Sequence, residues 1–329
     1  MYTSLAVLYL GVAVFALYRV ALLLTQKPRP PLPPGPKGLP FIGNINALPP
    51  KGAREWEHWI KHKDLYGPIS SVPALGTTLI IINDEKAAVE LLDKRGSMYS
   101  SRPLMPFSDM CGWKHNLASM RYGKFLKASR QKIHKAIGSN VTLARFIPLQ
   151  DIEAHRFLLR VLQEPESWIQ HLKTEAAAII LKLSYGYNVE PHGKDLFVDL
   201  ADRATWYFSK ASVPGAWIVD VIPWLRYLPN MPGIAFQKFA KASREIIEET
   251  AGKPLEFVKR QMKTEKYKPS FTSAQYENVG GVMTEEDELV TKWSALGIYL
   301  GGADTVRNLC RPIEHYIHFI SWEASIGRG

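Results

Sequence analysis

The sequence predicts a mainly α-helical body with one small β-hairpin, carried behind an N-terminal transmembrane helix. Three observations lead there. Thr3 to Leu24 is apolar apart from Arg19. Beyond Pro148, apolar residues recur at helical spacing. Strand-type sequence lies early, over Ile69–Pro73 and Thr77–Asn83, with Gly76 at the turn between them. The 329 residues are 46% hydrophobic, enough for a large core in one big domain or two smaller ones.

The formal net charge is +10, from 41 basic and 31 acidic residues. Such a surface suits an anionic membrane face or an acidic protein partner. The basic residues are spread along the chain without a nucleic-acid motif, so nucleic acid is not an expected partner. The two cysteines, Cys111 and Cys310, make no disulfide framework, which fits a cytosolic main body.

Taken in order, the apolar stretch comes first. At about 1.5 Å per residue it is long enough to cross a hydrocarbon core of about 30 Å. Arg19 lies near one end and can snorkel to the interface. Lys27, Arg29, Arg54, Lys61 and Lys63 follow, which puts the downstream side in the cytoplasm. A cleaved signal peptide would begin with basic residues, have a shorter apolar core and end at small residues. This stretch lacks a basic start and runs into prolines, so residues 1–25 are expected to be a retained anchor in contact with membrane lipid.

Pro28 to Pro36 cannot form a helix and favours a stiff, extended spacer within a hinge at residues 26–44. Leu39, Phe41 and Ile42 then look suited to join a core. Gly52–Tyr66 reads as an amphipathic helix, the hairpin follows, and Asp84 caps a helix to about Lys94. Gly96–Leu117 has no clear period, as in stretches that are functional or mobile. Helices are expected near Leu149–Gln163, Glu166–Tyr185, Asp195–Lys210 and Ile234–Lys263. Pro214–Pro232, with four prolines and two tryptophans, is an apolar loop suited to lining a pocket or lying on the membrane. Tyr267–Val282 reads as a polar linker.

The last element is Leu289 to Val306, LVTKWSALGIYLGGADTV. Thr284 is placed to cap it, with Glu285, Glu286 and Asp287 against the positive end of the helix dipole. Leu289, Trp293, Leu296 and Leu300 mark a buried face. Gly301 and Gly302 sit where a helix is weakened by about 1 kcal/mol per glycine relative to alanine. Glycine there lets another group approach the backbone. Asp304 and Thr305 follow, an acid and a hydroxyl able to handle a proton. By themselves these five residues read equally as a helix end and a turn.

Their place in the chain discriminates. PPGPKGLPFIGN resembles the proline-rich hinge of the cytochrome P-450 family. SSRPLMP with Gly112–Trp113 resembles the loop before its third main helix, and YGKFLKASRQKIH at Tyr122–His134 resembles that helix. PWLRYLPNMPG resembles the region before its long seventh helix, and GGADT its oxygen-activation motif. Five matches in the family's order, over residues 1–306, resemble the fungal microsomal type most. The resemblance implies an incomplete cytochrome P-450 fold over residues 45–306 and a heme cofactor. It also implies an apolar small-molecule substrate and electrons from an NADPH-dependent reductase at the endoplasmic reticulum membrane. Asp304 and Thr305 would be the catalytic acid–alcohol pair, Lys127 and Arg130 would hold the heme carboxylates, and Gly301 and Gly302 would leave room for oxygen and substrate. No metal ligand is assigned.

The sequence departs from the family pattern at three places. Leu126 and Lys127 stand where the family usually has Trp and Arg, which implies weaker heme-carboxylate binding. With Lys124, Lys132 and Lys135 nearby, Lys127 and Arg130 also read as part of a solvated basic face. Val306 replaces a hydroxyl. From Arg307 the resemblance stops: the tail at residues 307–329 contains no Glu-x-x-Arg pair and no Phe-x-x-Gly-x-x-x-Cys loop. Cys310 lacks the glycine-bearing loop of a ligand cysteine, Cys111 reads as a small buried or loop residue, and His315 and His318 read as incidental.

Two functional readings follow: a heme-dependent monooxygenase, inactive as written without its thiolate loop, and a non-catalytic membrane-anchored relative. An unrelated helical membrane-tethered binding protein would require all five matches to be accidents. Either family reading leaves normally buried apolar surface open. The body lacking residues 1–27 is therefore expected to melt broadly and at low temperature by circular dichroism; a sharp, high-temperature transition would contradict this.

Overall fold

Residues 30–302 are described by the computed structural model, apart from 41, 51–52, 75, 191–193, 214–215, 229–234 and 265–266. The chain divides after Gly96 into two units.

In the first unit, α1 spans Glu55–Tyr66, shorter at its start than the sequence suggests. Two strands follow, β1 (Ile69–Ala74) and β2 (Thr77–Ile82), paired antiparallel with Val72 opposite Leu79. Gly76 supplies the positive φ of 79° that the connection needs. The inner strand is β1, where Val72 is fully buried, whereas Leu79 and Ile80 of β2 are exposed. His62 of α1 fixes the helix to β1 through a 3.0 Å contact of Nδ1 with the Ser70 hydroxyl. Asp84 accepts from the Ala87 N–H at 2.7 Å and starts α2 (Glu85–Ala88), which widens into a π-helical stretch over Val89–Lys94.

The proline-rich stretch is not a free spacer. Ser71 donates its N–H to the Pro34 carbonyl at 2.9 Å and its hydroxyl to the Pro33 carbonyl at 2.6 Å. Prolines expose carbonyls without competing N–H groups, so the run serves as an acceptor edge along β1. Leu39 and Ile42, expected to join a core, are 49% and 42% exposed.

The second unit is helical among its described residues. It contains α3 (Pro106–Met110), α4 (Lys124–Ile137), α5 (Ile147–Gln163), α6 (Trp168–Tyr185), α7 (Leu196–Ala211) and α8 (Ala235–Met262). Two further helices follow, α9 (Phe271–Glu277) and α10, helical from 285 through the last described residue, 302. The four helices expected between 149 and 263 are present with ends moved by one to two residues. α5 packs on α6, and α7 on α8. Asp195 caps α7 and takes four donors. Its Oδ1 accepts the N–H groups of Phe197 and Val198, and its Oδ2 accepts Glu190 N–H and Tyr187 Oη–H. A carboxylate this buried requires such a shell.

One reading of a loop is corrected, and a second stretch is found to be fixed in place. The stretch taken as a polar linker holds α9, because Ser270 and Ser273 form a reciprocal cap and turn Phe271 and Tyr276 inward. Gly96–Leu117, expected to be functional or mobile, is anchored: Trp113 is 1% exposed and donates Nε1–H to the Ser243 hydroxyl of α8 at 3.2 Å. Gly112 allows this approach. Its φ is 93°, and a Cβ there would lie 2.7 Å from the Ile247 side chain.

Ser270→Ala is expected to lower stability by about 1 kcal/mol in urea unfolding, the usual value of an N-cap. No change would restore the linker reading.

Candidate functional site

The site's scaffold is α10. Thr284 Oγ1 accepts from the Asp287 N–H at 3.2 Å, so the predicted cap is present. Asp287 has a second role, pairing with Lys132 Nζ of α4 at 3.0 Å. Burial goes further than one face. Trp293 and Leu296 are buried, but so are Val290, Ala295, Ile298 and Tyr299, while Leu289 is 37% exposed. The polar groups on this helix are satisfied locally or across the core. Ser294 donates to its own Val290 carbonyl at 2.6 Å, and Tyr299 donates its hydroxyl to the Phe197 carbonyl of α7. Burial drives the Tyr299 pKa well above the phenol range, so that hydroxyl stays a donor.

The paired glycines differ. A Cβ at Gly302 would sit 2.4 Å from Ile180 of α6, so this glycine lets two helices touch rather than making room for a ligand. A Cβ at Gly301 would meet nothing within 4 Å among the described residues. Asp304 and Thr305 lie outside the described residues, as do the anchor, Cys310, His315, His318 and the tail.

On α4, Leu126 is 2% exposed and packs inward. Lys127 and Arg130 are both exposed and pair with no carboxylate among the described residues. Lys127 Nζ lies 4.9 Å from the centroid of the Tyr122 ring. Lys132 behaves differently from the solvated face to which the sequence assigns it. Besides Asp287, it reaches Gln275 Oε1 at 3.3 Å. A second link joins α4 to α10: His115 lies between Phe125, at 4.9 Å, and Trp293, at 5.7 Å between ring centroids. Burial lowers the His115 pKa and keeps the ring neutral there. The ion pair lies at the start of α10 and the ring contact midway along it. Gly301 lies about 21 Å beyond Asp287 and about 12 Å beyond Trp293 along the helix axis, at about 1.5 Å per residue.

Cys111 is fully buried, and burial pushes its thiol up to about 12. Its environment favours the neutral thiol. Among the described residues, no group of three or more His, Cys, Asp or Glu side chains is arranged to hold a metal ion.

The family model for cytochrome P-450 matches residues 33–308. The chain belongs to the cytochrome P-450 family. It is 44% identical to cytochrome P-450 monooxygenase ppsD of Aspergillus oryzae over 83% of this chain and 52% of that protein. It is 39% identical to the multifunctional cytochrome P-450 monooxygenase af510 of Aspergillus fumigatus over 92% of this chain and 58% of that protein. A third relative, cytochrome P-450 monooxygenase claR of Ampulloclitocybe clavipes, is 42% identical over 84% and 51%. The chain thus spans about half the length of the curated relatives it matches.

The cofactor of the P-450 family is heme, whose fit divides in two. Its carboxylate edge suits Lys127 and Arg130, two exposed cations one turn apart with no carboxylate partner among the described residues. Its iron needs a thiolate. Cys111, buried and neutral, does not fit that role.

Sequence reasoning missed three residues that organise this region: His115, Ser243 and Asp220. No local pattern marks them, since their partners lie far off along the chain, 130 residues away for Ser243 and Trp113 and 113 for Asp220 and Phe107.

The glycine difference is testable by thermal unfolding. Gly301→Ala is expected to stabilise by up to about 1 kcal/mol through helix propensity. Gly302→Ala is expected to destabilise by about 1–3 kcal/mol through overpacking on Ile180, with a smaller penalty when it is introduced into an Ile180→Ala background, which lacks the γ and δ carbons in the way. Equal effects at the two glycines would contradict the packing.

Proposed function

We propose that this chain carries the oxygen-side half of a heme-dependent monooxygenase that acts on an apolar small molecule. The observation that supports this most is the family match over residues 33–308, which takes in Lys127, Arg130 and the run from Gly301 to Thr305. Heme, when bound, supplies oxygen activation. The chain's own residues do the rest. Lys127 and Arg130 hold the carboxylate edge by charge, with lysine as a point charge rather than a fork. Gly301 keeps the helix surface approachable. The Asp304 carboxylate and the Thr305 hydroxyl hold and pass a proton. The basic surface, at +10 overall, suits an acidic NADPH-dependent reductase.

The same proposal places the chain at the endoplasmic reticulum membrane, anchored once by residues 1–25 with the body in the cytoplasm. The apolar sequence at Thr3–Leu24 supports it. Among the described residues, no helix is long and apolar enough to cross a membrane.

A second reading, a non-catalytic membrane-anchored relative that contacts the same partners, is favoured for the chain as written by one observation. The described cysteine is a buried neutral thiol.

A reduced carbon-monoxide difference spectrum of the full chain supplied with heme separates the two. A thiolate-type Soret band supports the monooxygenase reading. No band, or a histidine-type band, supports the non-catalytic one.

A further inference from the structure

We propose that Asp220 is the positioning residue of the segment at 105–115. Its carboxyl group closes the start of α3 from across the second unit and holds the Phe107 ring in an aromatic cluster. This does not depend on heme or on the proposed activity.

The geometry is specific. α3 begins with Pro106, which has no N–H, so Phe107 carries the first backbone donor of that helix. No local side chain caps it. Asp220, on a short helix at Ile218–Val221, accepts this N–H through Oδ1 at 3.0 Å. Three residues before Asp220, Trp217 stacks on Phe107 with centroids 4.1 Å apart and planes 22° apart. Phe239 of α8 touches both rings, at 5.9 Å and 5.0 Å. Trp217 is itself fixed by Nε1–H donation to the Lys210 carbonyl of α7 at 2.8 Å. One carboxyl group thus ties a chain segment to a ring stack shared with two other segments.

The second oxygen gives this contact a titratable character. Asp220 Oδ2 is buried and has no hydrogen-bond partner among the described residues. An unpartnered carboxylate oxygen in such a place costs free energy, and a protonated one costs less. Burial raises the Asp220 pKa most; the Phe107 N–H opposes this, and Asp109 of α3 adds to it. Asp109 is itself raised by burial, against Lys114, Arg226 and His115. Arg244 of α8 faces the same region and donates to the Met110 carbonyl at 2.9 Å, and the Cys111 thiol feels the Asp220 charge. α7 contributes Tyr207, in contact with Phe239.

The sign follows from the raised value. An acid whose folded pKa lies above its unfolded one favours the fold when protonated. That contribution falls as pH rises from the ordinary carboxylate range through the raised value, and stays lost above it. The closed arrangement around Asp220 is therefore favoured in acid and disfavoured toward neutral pH, because the burial of the charge outweighs the Phe107 N–H, which by itself favours the ionised carboxylate.

Hydrogen–deuterium exchange of the full chain tests this, read on peptides covering 105–115 and corrected for the intrinsic pH dependence of exchange. Peptides from α7 serve as the internal reference. Between about pH 4 and about pH 7.5, wild type is expected to lose protection in 105–115 by about threefold to tenfold. Asp220→Asn keeps an acceptor without a charge and is expected to hold its protection within about twofold across that range. Asp220→Ala is expected to exchange about tenfold faster at both pH values. The proposal is overturned if wild type and Asp220→Asn share one pH dependence, or if Asp220→Ala leaves 105–115 unchanged. Should the alanine variant fail to fold, the comparison of wild type with asparagine decides alone.

Discussion

Burial of α10 on nearly every side is the constraint to which the rest of the second unit answers. A helix with Val290, Trp293, Ala295, Leu296, Ile298 and Tyr299 all inside cannot leave its polar side chains to water. Ser294 turns back to its own backbone, and Tyr299 reaches α7. Its small residues decide which neighbours come close: Gly302 admits Ile180, and Gly297 brings its backbone against Leu117, whose Cδ1 would lie 2.5 Å from an added Cβ. α6 and the segment before α4 take their positions from these contacts. The ion pair between Lys132 and Asp287 is side-chain exposed by 17% and 36%, so it contributes register more than stability.

A second set of contacts is gathered on α8. Ser243 accepts from Trp113 and donates to the Cys111 carbonyl at 3.2 Å, while Arg244 reaches the Met110 carbonyl. The bonds to the Cys111 and Met110 carbonyls are side-chain to backbone bonds onto a segment too short to satisfy its own ends. Short helices leave most of their terminal donors and acceptors without intrahelical partners, so distant side chains must supply them. Asp195, with four donors on one carboxylate, solves the same problem at the start of α7. The irregular parts of this protein are therefore ordered by polar anchors, and its regular parts by apolar packing.

The first unit shows the same economy of donors and acceptors on a smaller scale. The proline-rich strap supplies carbonyls to Ser71, and Gly43 bridges to Ala74 beyond the end of the run. Proline content predicts an extended conformation, and the conformation is extended. It does not predict that β1 would use the strap as an edge, because that requires Ser71, 38 residues away, to lie alongside.

The sequence by itself determined what depends on neighbours within a turn or two. The long helices are legible from apolar spacing, the start of α10 from Thr284, and the hairpin from Gly76 between two β-branched runs. The order of motifs was enough to identify the family. Tertiary structure alone decided the rest. Two adjacent glycines look alike in the chain, yet Gly302 packs on Ile180 while a Cβ on Gly301 would meet nothing among the described residues. The lysines of α4 look like one basic face, yet Lys132 is paired while Lys127 and Arg130 are exposed with no carboxylate partner among the described residues. Asp220 looks like a polar residue in an apolar loop, yet it caps a helix 113 residues earlier. Helix and turn preferences are set by backbone sterics and near-neighbour hydrogen bonds, which the sequence lists in order. Which charge is compensated, and which donor is capped, depends on groups brought together by packing, and packing is decided by the whole core at once.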